Sequence, residues 1–468
     1  MKRHRWAKRI FSVALLLSIL PVAKAQESKY LLLSQAVQTG LQNYQSIRAK
    51  QNYLGASREQ VKNTRNEYLP NVMASLQQAY GSVNSQFGPL APYGTPGTSS
   101  SGPINGRQSW TAAFGGLYVL NTNWEVFSFG RLKSRINYSL SIVKNDSADL
   151  VQEQFIQSVK IAGAYLNLLV SQTLYRNAIS NLERARYVQE AVLARTKNGL
   201  NPGVDSSFVN ADVSNARLVI IDAENNIHQY SNELAQLMNA PTLAYIADTT
   251  FLTTLPRIYN STFTVEQNPQ VQFYKSRVDV SDSYTRLLAK SILPGLNLFG
   301  IFQSRSSGFA TDYTVANHDY SGGYFDGVNP TRSNYVTGLS ISWNIVSIAK
   351  IKHQVLAQQY ISKALQDEYD LVDTRLKDQL VLADQRIETS LQAWKEAPVQ
   401  YKAASDAYLQ KSVLYKNGLT NIIDLQQALY LLNRAETSVS VAHINVWQAL
   451  LQKAAATGDF NLFLGQVK

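Results

Sequence analysis

Two stretches of this chain repeat one another at a spacing of 219 residues, and that spacing limits what it can fold into. W-E-V-F-S-F-G-R-L-K begins at Trp124 and W-N-I-V-S-I-A-K-I-K at Trp343, while K-N-G-L at 197–200 returns at 416–419. Both landmarks recur at the same offset, so no net insertion separates them in either half. A unit this long far exceeds the roughly 20–50 residues of solenoid and propeller repeats, so it reads as a duplicated domain half. The two halves are expected to build one pseudo-symmetric object.

The N-terminus predicts export. Lys2, Arg3, Arg5, Lys8 and Arg9 precede an apolar run over 10–22, and Ala23-Lys24-Ala25 supplies an A-x-A cleavage site, the pattern of a secretory signal peptide over 1–25. The run is shorter than the roughly 20 residues that a spanning helix needs, and no other run in the chain reaches its apolar length. Cleavage would remove six basic residues, leaving 38 against 33 acidic ones, which is no nucleic-acid footprint. With no cysteine, the chain has no disulfide framework, zinc-thiolate site, cysteine nucleophile or acylated N-terminal cysteine. Attachment to a membrane must therefore come from the fold.

Proline spacing organises the rest. After Pro103 the next proline is Pro202, and after Pro330 the next is Pro398, which leaves two long stretches free for helix. In the second, Leu365, Tyr369, Val372, Leu376, Leu380, Ala383, Ile387, Leu391 and Trp394 recur at about 3.6 residues, the period of a straight helix. Val151, Phe155, Val159, Ala162, Leu166 and Leu169 do the same in the first. A helix over 131–196 would be roughly 100 Å long at 1.5 Å per residue, too long for a compact globular domain of this size. Pro398 predicts a kink or break that the equivalent Ile179 does not.

Each long helix is expected to end at N-G-L. Gly199 and Gly418 suit a left-handed C-terminal cap, Lys197 and Lys416 suit the last turn, and Asp205 and Asp424 open a new apolar pattern. Each half therefore contains a helical hairpin, with tips near 197–205 and 416–424.

Before the long helices the period changes to two. Trp110, Phe114, Tyr118 and Trp124 share one parity, as do Tyr335, Leu339, Ile341 and Trp343, opposite small polar residues. Four strands are expected, at 70–88, 108–126, 294–308 and 332–347, with exposed loops over 88–107 and 308–332. The segment 296–302 is ambiguous by pattern. Alternating strands in an exported chain without another membrane element match the outer-membrane barrel signature. A sheet in hydrocarbon must close, and four strands cannot, so several copies must share one barrel. The pattern alone also allows a soluble four-stranded sheet packed on a helix.

These features together resemble the TolC family of outer-membrane efflux channels: an export signal, a tandem repeat, W-x-x-F-x-x-G-R before a long helix, and Y-x-x-G-L-x-x-x-x-D-L-x-x-A at 415–428. The resemblance covers essentially the whole mature chain. It implies a mainly α protomer with a β transmembrane part, a tandem-duplicated α/β-barrel channel whose homotrimer forms a 12-stranded outer-membrane barrel over a periplasmic tunnel of helical hairpins. The repeats would occupy 26–240 and 263–468. The linker 241–262 and the C-terminal segment would form an equatorial region. Partners implied are outer-membrane lipid, a periplasmic adaptor and an inner-membrane pump, with passive export through an iris-like opening.

Carried over residue by residue, the resemblance makes Asn198, Gly199, Leu200, Asn417, Gly418 and Leu419 adaptor-contacting tips. Asp205 and Asp424 correspond to constriction carboxylates and Tyr415 to a tyrosine of the closing latch. A second ring carboxylate is replaced by Gln427 and the latch arginine by Thr420, so closure by that ion-pair network is not expected. Trp110, Phe114, Tyr118, Trp124, Tyr335 and Trp343 would face the membrane. The five histidines have no metal-ligand spacing, and Asp312, Asp319 and Asp326 fit no EF-hand. No cofactor, metal or catalytic site is expected. A trimeric coiled-coil adhesin would also explain export and long helices, but not paired turns that send each helix back, and a single-chain porin needs more strands. Cargo is open: drug, metal ion or polypeptide.

Overall fold

The structure is a computed structural model that describes residues 28–85, 107–242, 244–257, 264–314 and 316–466. The signal segment, most of the first long loop and the end of the inter-repeat linker lie outside these residues. The described chain forms two compact units. One comprises Met1–Leu54, Asp146–Ser276 and Gln366–Lys468, the other Gly55–Asn145 and Arg277–Leu365.

In chain order the elements are β1 (Ser28–Leu31), α1 (Leu33–Asn43), α2 (Gln45–Asn66), β2 (Asn71–Ser82), β3 (Ala112–Phe127), α3 (Arg131–Lys197) and α4 (Gly203–Met238). β4 (Ala244–Ala247), α5 (Thr250–Thr253), a 3₁₀ turn (Val265–Gln267) and α6 (Pro269–Lys290) follow. The chain ends with β5 (Gly295–Ser307), α7 (Tyr324–Val328), β6 (Arg332–Ser342), α8 (Ser347–Lys416), α9 (Ile422–Thr457) and α10 (Asn461–Leu464). The duplication is visible in these bounds. α4 and α9 both have 36 residues and are offset by 219, and α2 and α6 both have 22 and are offset by 224.

The long helices bury the stripe that their period marks. Val372, Leu376, Ala383 and Ile387 of α8 are buried, as are Ala162, Leu166 and Leu169 of α3. The expected break at Pro398 does not occur: α8 runs through it as one helix of 70 residues. A proline removes a single backbone donor, so only the Trp394 carbonyl loses its helical partner while the turns on either side keep theirs.

The main core of the first unit surrounds a structure with no period to announce it. β1 and β4 form a two-stranded parallel sheet joining residues 28–31 to 244–247. From α3, the Gln172 amide donates to Tyr245 O (2.6 Å) and accepts from Ala247 N (3.1 Å), so one side chain serves this edge as a neighbouring strand would. Tyr165 donates to Leu31 O (2.8 Å) and accepts from Asp248 N (2.7 Å); burial pushes its phenol proton affinity up. Around this sheet Phe251, Trp447 and Phe463 pack as a T-shaped and stacked aromatic cluster with Tyr165. The Trp447 indole satisfies Thr254 O at 3.0 Å. α9 ends at Gly458 with φ +83, where a Cβ would lie 2.5 Å from Asn268 Cα, and the Asn268 amide caps the carbonyls of Ala455 and Ala456.

The second unit holds an antiparallel sheet in the order β2-β3-β5-β6. Its register places Val72, Leu76, Leu120, Trp124, Leu298, Phe302, Tyr335 and Leu339 on one face, which carries no charged residue. The other face takes Asn71, Gln77, Asn121, Asn123, Glu125, Asn297, Gln303, Arg305, Arg332 and Asn334. The ambiguous segment 296–302 is strand. β6 stops at Ser342 rather than at 347, because Asn344 turns the chain by accepting from Ser347 N (3.2 Å) and α8 begins there.

Phe463 is fully buried, so Phe463→Ala should cost about 3–5 kcal/mol through the cavity left beside Trp447 and Phe251. Thermal unfolding followed by circular dichroism checks this, and the exposed Phe325→Ala, expected to be near neutral, is the control.

Candidate functional site

Both hairpin turns are Schellman motifs. Leu200 N donates to Arg195 O (2.9 Å) and Gly199 N to Thr196 O (3.0 Å); in the second tip Leu419 N donates to Leu414 O (2.9 Å) and Gly418 N to Tyr415 O (3.0 Å). Gly199 and Gly418 have φ of +72 and +73, the left-handed region where a Cβ is strained. The residue after each glycine is thrown outward, leaving Leu200 67% and Leu419 72% exposed. Val204 and Phe208 continue an exposed apolar stripe one and two turns along α4, and Ile423 continues it on α9. Gln427 stands where the second stripe would have its third apolar residue.

The two tips are fastened to each other within one chain. Tyr415 is buried among Val188, Val192, Val209, Ile422 and Leu425. Its hydroxyl accepts from Asn201 Nδ2 (3.0 Å), which also donates to Asp205 Oδ2 (2.8 Å). Burial is the main reason that the Tyr415 phenol holds its proton more tightly than usual. Arg195 spans the tips: Nε donates to Asn201 Oδ1 (2.9 Å), Nη1 reaches the carbonyls of Tyr415 and Lys416 (3.3 Å each), and its guanidinium carbon lies 5.4 Å from the Tyr415 ring centroid. Those carbonyls belong to the last turn of α8, where helical partners are missing and the macrodipole favours a cation.

Asp424 is held differently. It accepts from Lys411 Nζ (2.7 Å) and Thr420 Oγ1 (2.9 Å), and its own backbone N–H is capped by Asn421 Oδ1 (2.9 Å). The Lys411 ammonium, then the Thr420 hydroxyl, hold its carboxyl below the usual aspartate range. Asn201 and Thr420 are repeat equivalents, and each donates to the aspartate four residues on. Sequence reasoning placed Asp205, Tyr415, Thr420 and Asp424 in this region, and the structure joins Asp205 to Tyr415 through Asn201 and Asp424 to Thr420 directly. It missed Arg195, whose repeat equivalent is Leu414, because a latch cation was sought at 420 and not on the opposite hairpin.

The aromatic residues divide by height on the sheet. Trp124 and Trp343 close their strands identically, each indole donating to the carbonyl before the preceding strand, Tyr68 O (2.7 Å) and Ile292 O (3.0 Å). Tyr335 is 80% exposed on the uncharged face. Trp110, assigned to a strand by parity, precedes β3, which starts at 112. Phe114 and Tyr118 lie under α7: Phe114 packs on Tyr80 and Tyr324, and Tyr118 donates to Val328 O (2.7 Å). The loop 308–332, read as exposed, thus folds back on the sheet, with Tyr313 and Val328 buried. Gly327 makes this possible, since a Cβ there would clash with Phe114 at 2.4 Å. Among the described residues no group of His, Cys, Asp or Glu could hold a metal ion, and no helix is long and apolar enough to cross a membrane.

Residues 36–240 match the family described as Outer membrane efflux protein. The chain's fold across both repeats is that of solved outer-membrane channels of the TolC family. CusC is 11% identical with a TM-score of 0.76, covering 91% of this chain and 92% of its own. VceC from Vibrio cholerae is 14% identical with a TM-score of 0.72, covering 91% and 96%. The open state of MtrE from Neisseria gonorrhoeae is 16% identical with a TM-score of 0.70, covering 91% and 88%. No curated protein matches the chain. The match over residues 36–240 and the shared fold agree with the family resemblance carried by the tip motif and the duplication.

Because the Asp424 carboxyl is held below its ordinary value, its contact with Lys411 contributes above the unfolded pKa of roughly 3.9 and is lost as pH falls through the lower folded value. The Asp424 carboxyl resonance, followed by NMR against pH, should therefore stay flat between roughly pH 5 and 8 and move only below about pH 4.

Proposed function

We propose that this chain is the exit duct of a tripartite efflux or type I secretion system, a homotrimer seated in a Gram-negative outer membrane. The observation that carries this reading is the sheet of the second unit. It has an uncharged apolar face and two open edges, β2 and β6, whose residues are almost wholly exposed. In hydrocarbon each unpaired backbone group costs several kcal/mol, so such a sheet is tolerated only where the edges are paired. Three copies joined β6 to β2 supply twelve strands. From Trp343 to Tyr335 the strand runs about 27 Å at ~3.4 Å per residue, which at a tilt of about 40° rises ~21 Å and spans most of the ~25 Å apolar band of outer-membrane barrels. Trp124 and Trp343 then lie at one interface and Tyr335 towards the other, while Phe114 and Tyr118 stand above the lipid under α7.

Tips that present Leu200, Val204, Phe208, Leu419 and Ile423 to solvent fit docking of a periplasmic adaptor, through which an inner-membrane pump delivers cargo. Closure rests on Arg195, which holds α8 of the second hairpin to the first. Opening would part the two tips at this contact. A coiled-coil adhesin has no use for an uncharged sheet with open edges.

Two measurements test this. Light scattering in detergent should give a mass of three chains, and single cysteines placed in β2 and β6, such as Ser75→Cys with Ser340→Cys, should cross-link as far as trimers and no further; a monomer refutes the reading. Arg195→Leu removes charge-assisted hydrogen bonds worth about 1–2 kcal/mol, so the open population and mean conductance should rise roughly tenfold. An unaltered closed state would refute the role of Arg195 in closure.

A further inference from the structure

The outermost rung of β5 and β6 sets Arg305 directly opposite Arg332. Like charges at such a position repel and destabilise the pair. The rung is nevertheless held firmly, since Thr331 N and its hydroxyl both donate to Arg305 O (3.0 and 3.3 Å). The next rung on the same face pairs Gln303 with Asn334, so four side chains rich in N–H donors lie together. None of the four has a hydrogen-bond or ion-pair partner among the described residues, and both arginines are exposed.

Among the described residues no carboxylate pairs with either guanidinium. Within the four strands the one carboxylate is Glu125, at the opposite end, where Arg131 already binds it. β2, the strand that a neighbouring copy would lay beside β6, contains no Asp or Glu, and neither does the loop 83–111. The second loop has Asp312, Asp319 and Asp326, but none forms an ion pair with either guanidinium; Asp312 accepts from Asn317 and Asp326 from Ser321. This pair lies on the face opposite the uncharged one.

We propose that the two arginines make the external mouth of the barrel an anion-attracting ring, six guanidinia in the trimer, that draws carboxylate, sulfate or phosphate groups into the lumen. The inference rests on the trimeric barrel proposed above. A lumen with low-dielectric walls focuses such a field and raises the local concentration of the attracted ion. Guanidinium forks also suit oxyanions in pairs of hydrogen bonds, and the Gln303 and Asn334 amides add neutral donors.

Reversal potentials across a KCl gradient in planar bilayers test this, with all channels carrying the tip-opening Arg195→Leu change. The double variant Arg305→Gln, Arg332→Gln should shift the permeability ratio roughly threefold or more towards cations, and Arg305→Lys, Arg332→Lys should keep the original ratio. Sodium sulfate added on the external side should reduce current through the parent but not through the glutamine variant. Conducting trimers with the same reversal potential in parent and glutamine variant overturn the inference alone. A parent that light scattering shows is not a trimer overturns it together with the reading on which it rests.

Discussion

An antiparallel sheet with an uncharged face and two unpaired edges cannot be a finished structure in hydrocarbon. Each edge strand leaves a row of N–H and C=O groups that lipid cannot satisfy, and β2 and β6 both expose nearly every residue. The Trp124 and Trp343 indoles tie the strand bases to the turns that follow α2 and α6, so the angle at which strands leave helices is set by the same hydrogen bond twice. Glu125 and Arg131 pair where a bulge at 125–127 ends the ladder and the chain turns into α3.

The duplication makes two similar hairpins, and function enters where they differ. Both tips have the same Schellman geometry, and both have a polar residue donating to an aspartate four positions on. Only the second has Lys411 against its aspartate, and only the first has an arginine reaching across. Arg195 binds the last-turn carbonyls of the helix opposite and lies over the Tyr415 ring.

The core around β1 and β4 shows a second form of economy. β1 and β4 are four residues each, too short to persist alone. They are stabilised by side chains of a helix, Gln172 and Tyr165, that bond to their backbones, and by an aromatic cluster drawn from α5, α9 and α10. The polar groups of an otherwise apolar core are satisfied in this way, which avoids the cost of burying them unpaired.

The sequence by itself determined the duplication, the long helices, their glycine-closed tips and the strands, because each follows from local periodicity or from backbone restrictions on glycine and proline. It allowed a break at Pro398 that does not occur, because one missing hydrogen bond among seventy residues does not outweigh the packed stripe on either side, and it took the second loop to be exposed. Only the tertiary structure decided that β1 pairs with β4, that α7 covers Phe114 and Tyr118, and that Arg195 reaches Tyr415. These depend on residues some 200 positions apart meeting in space, and four-residue strands or a single arginine have no period by which such a meeting could be read.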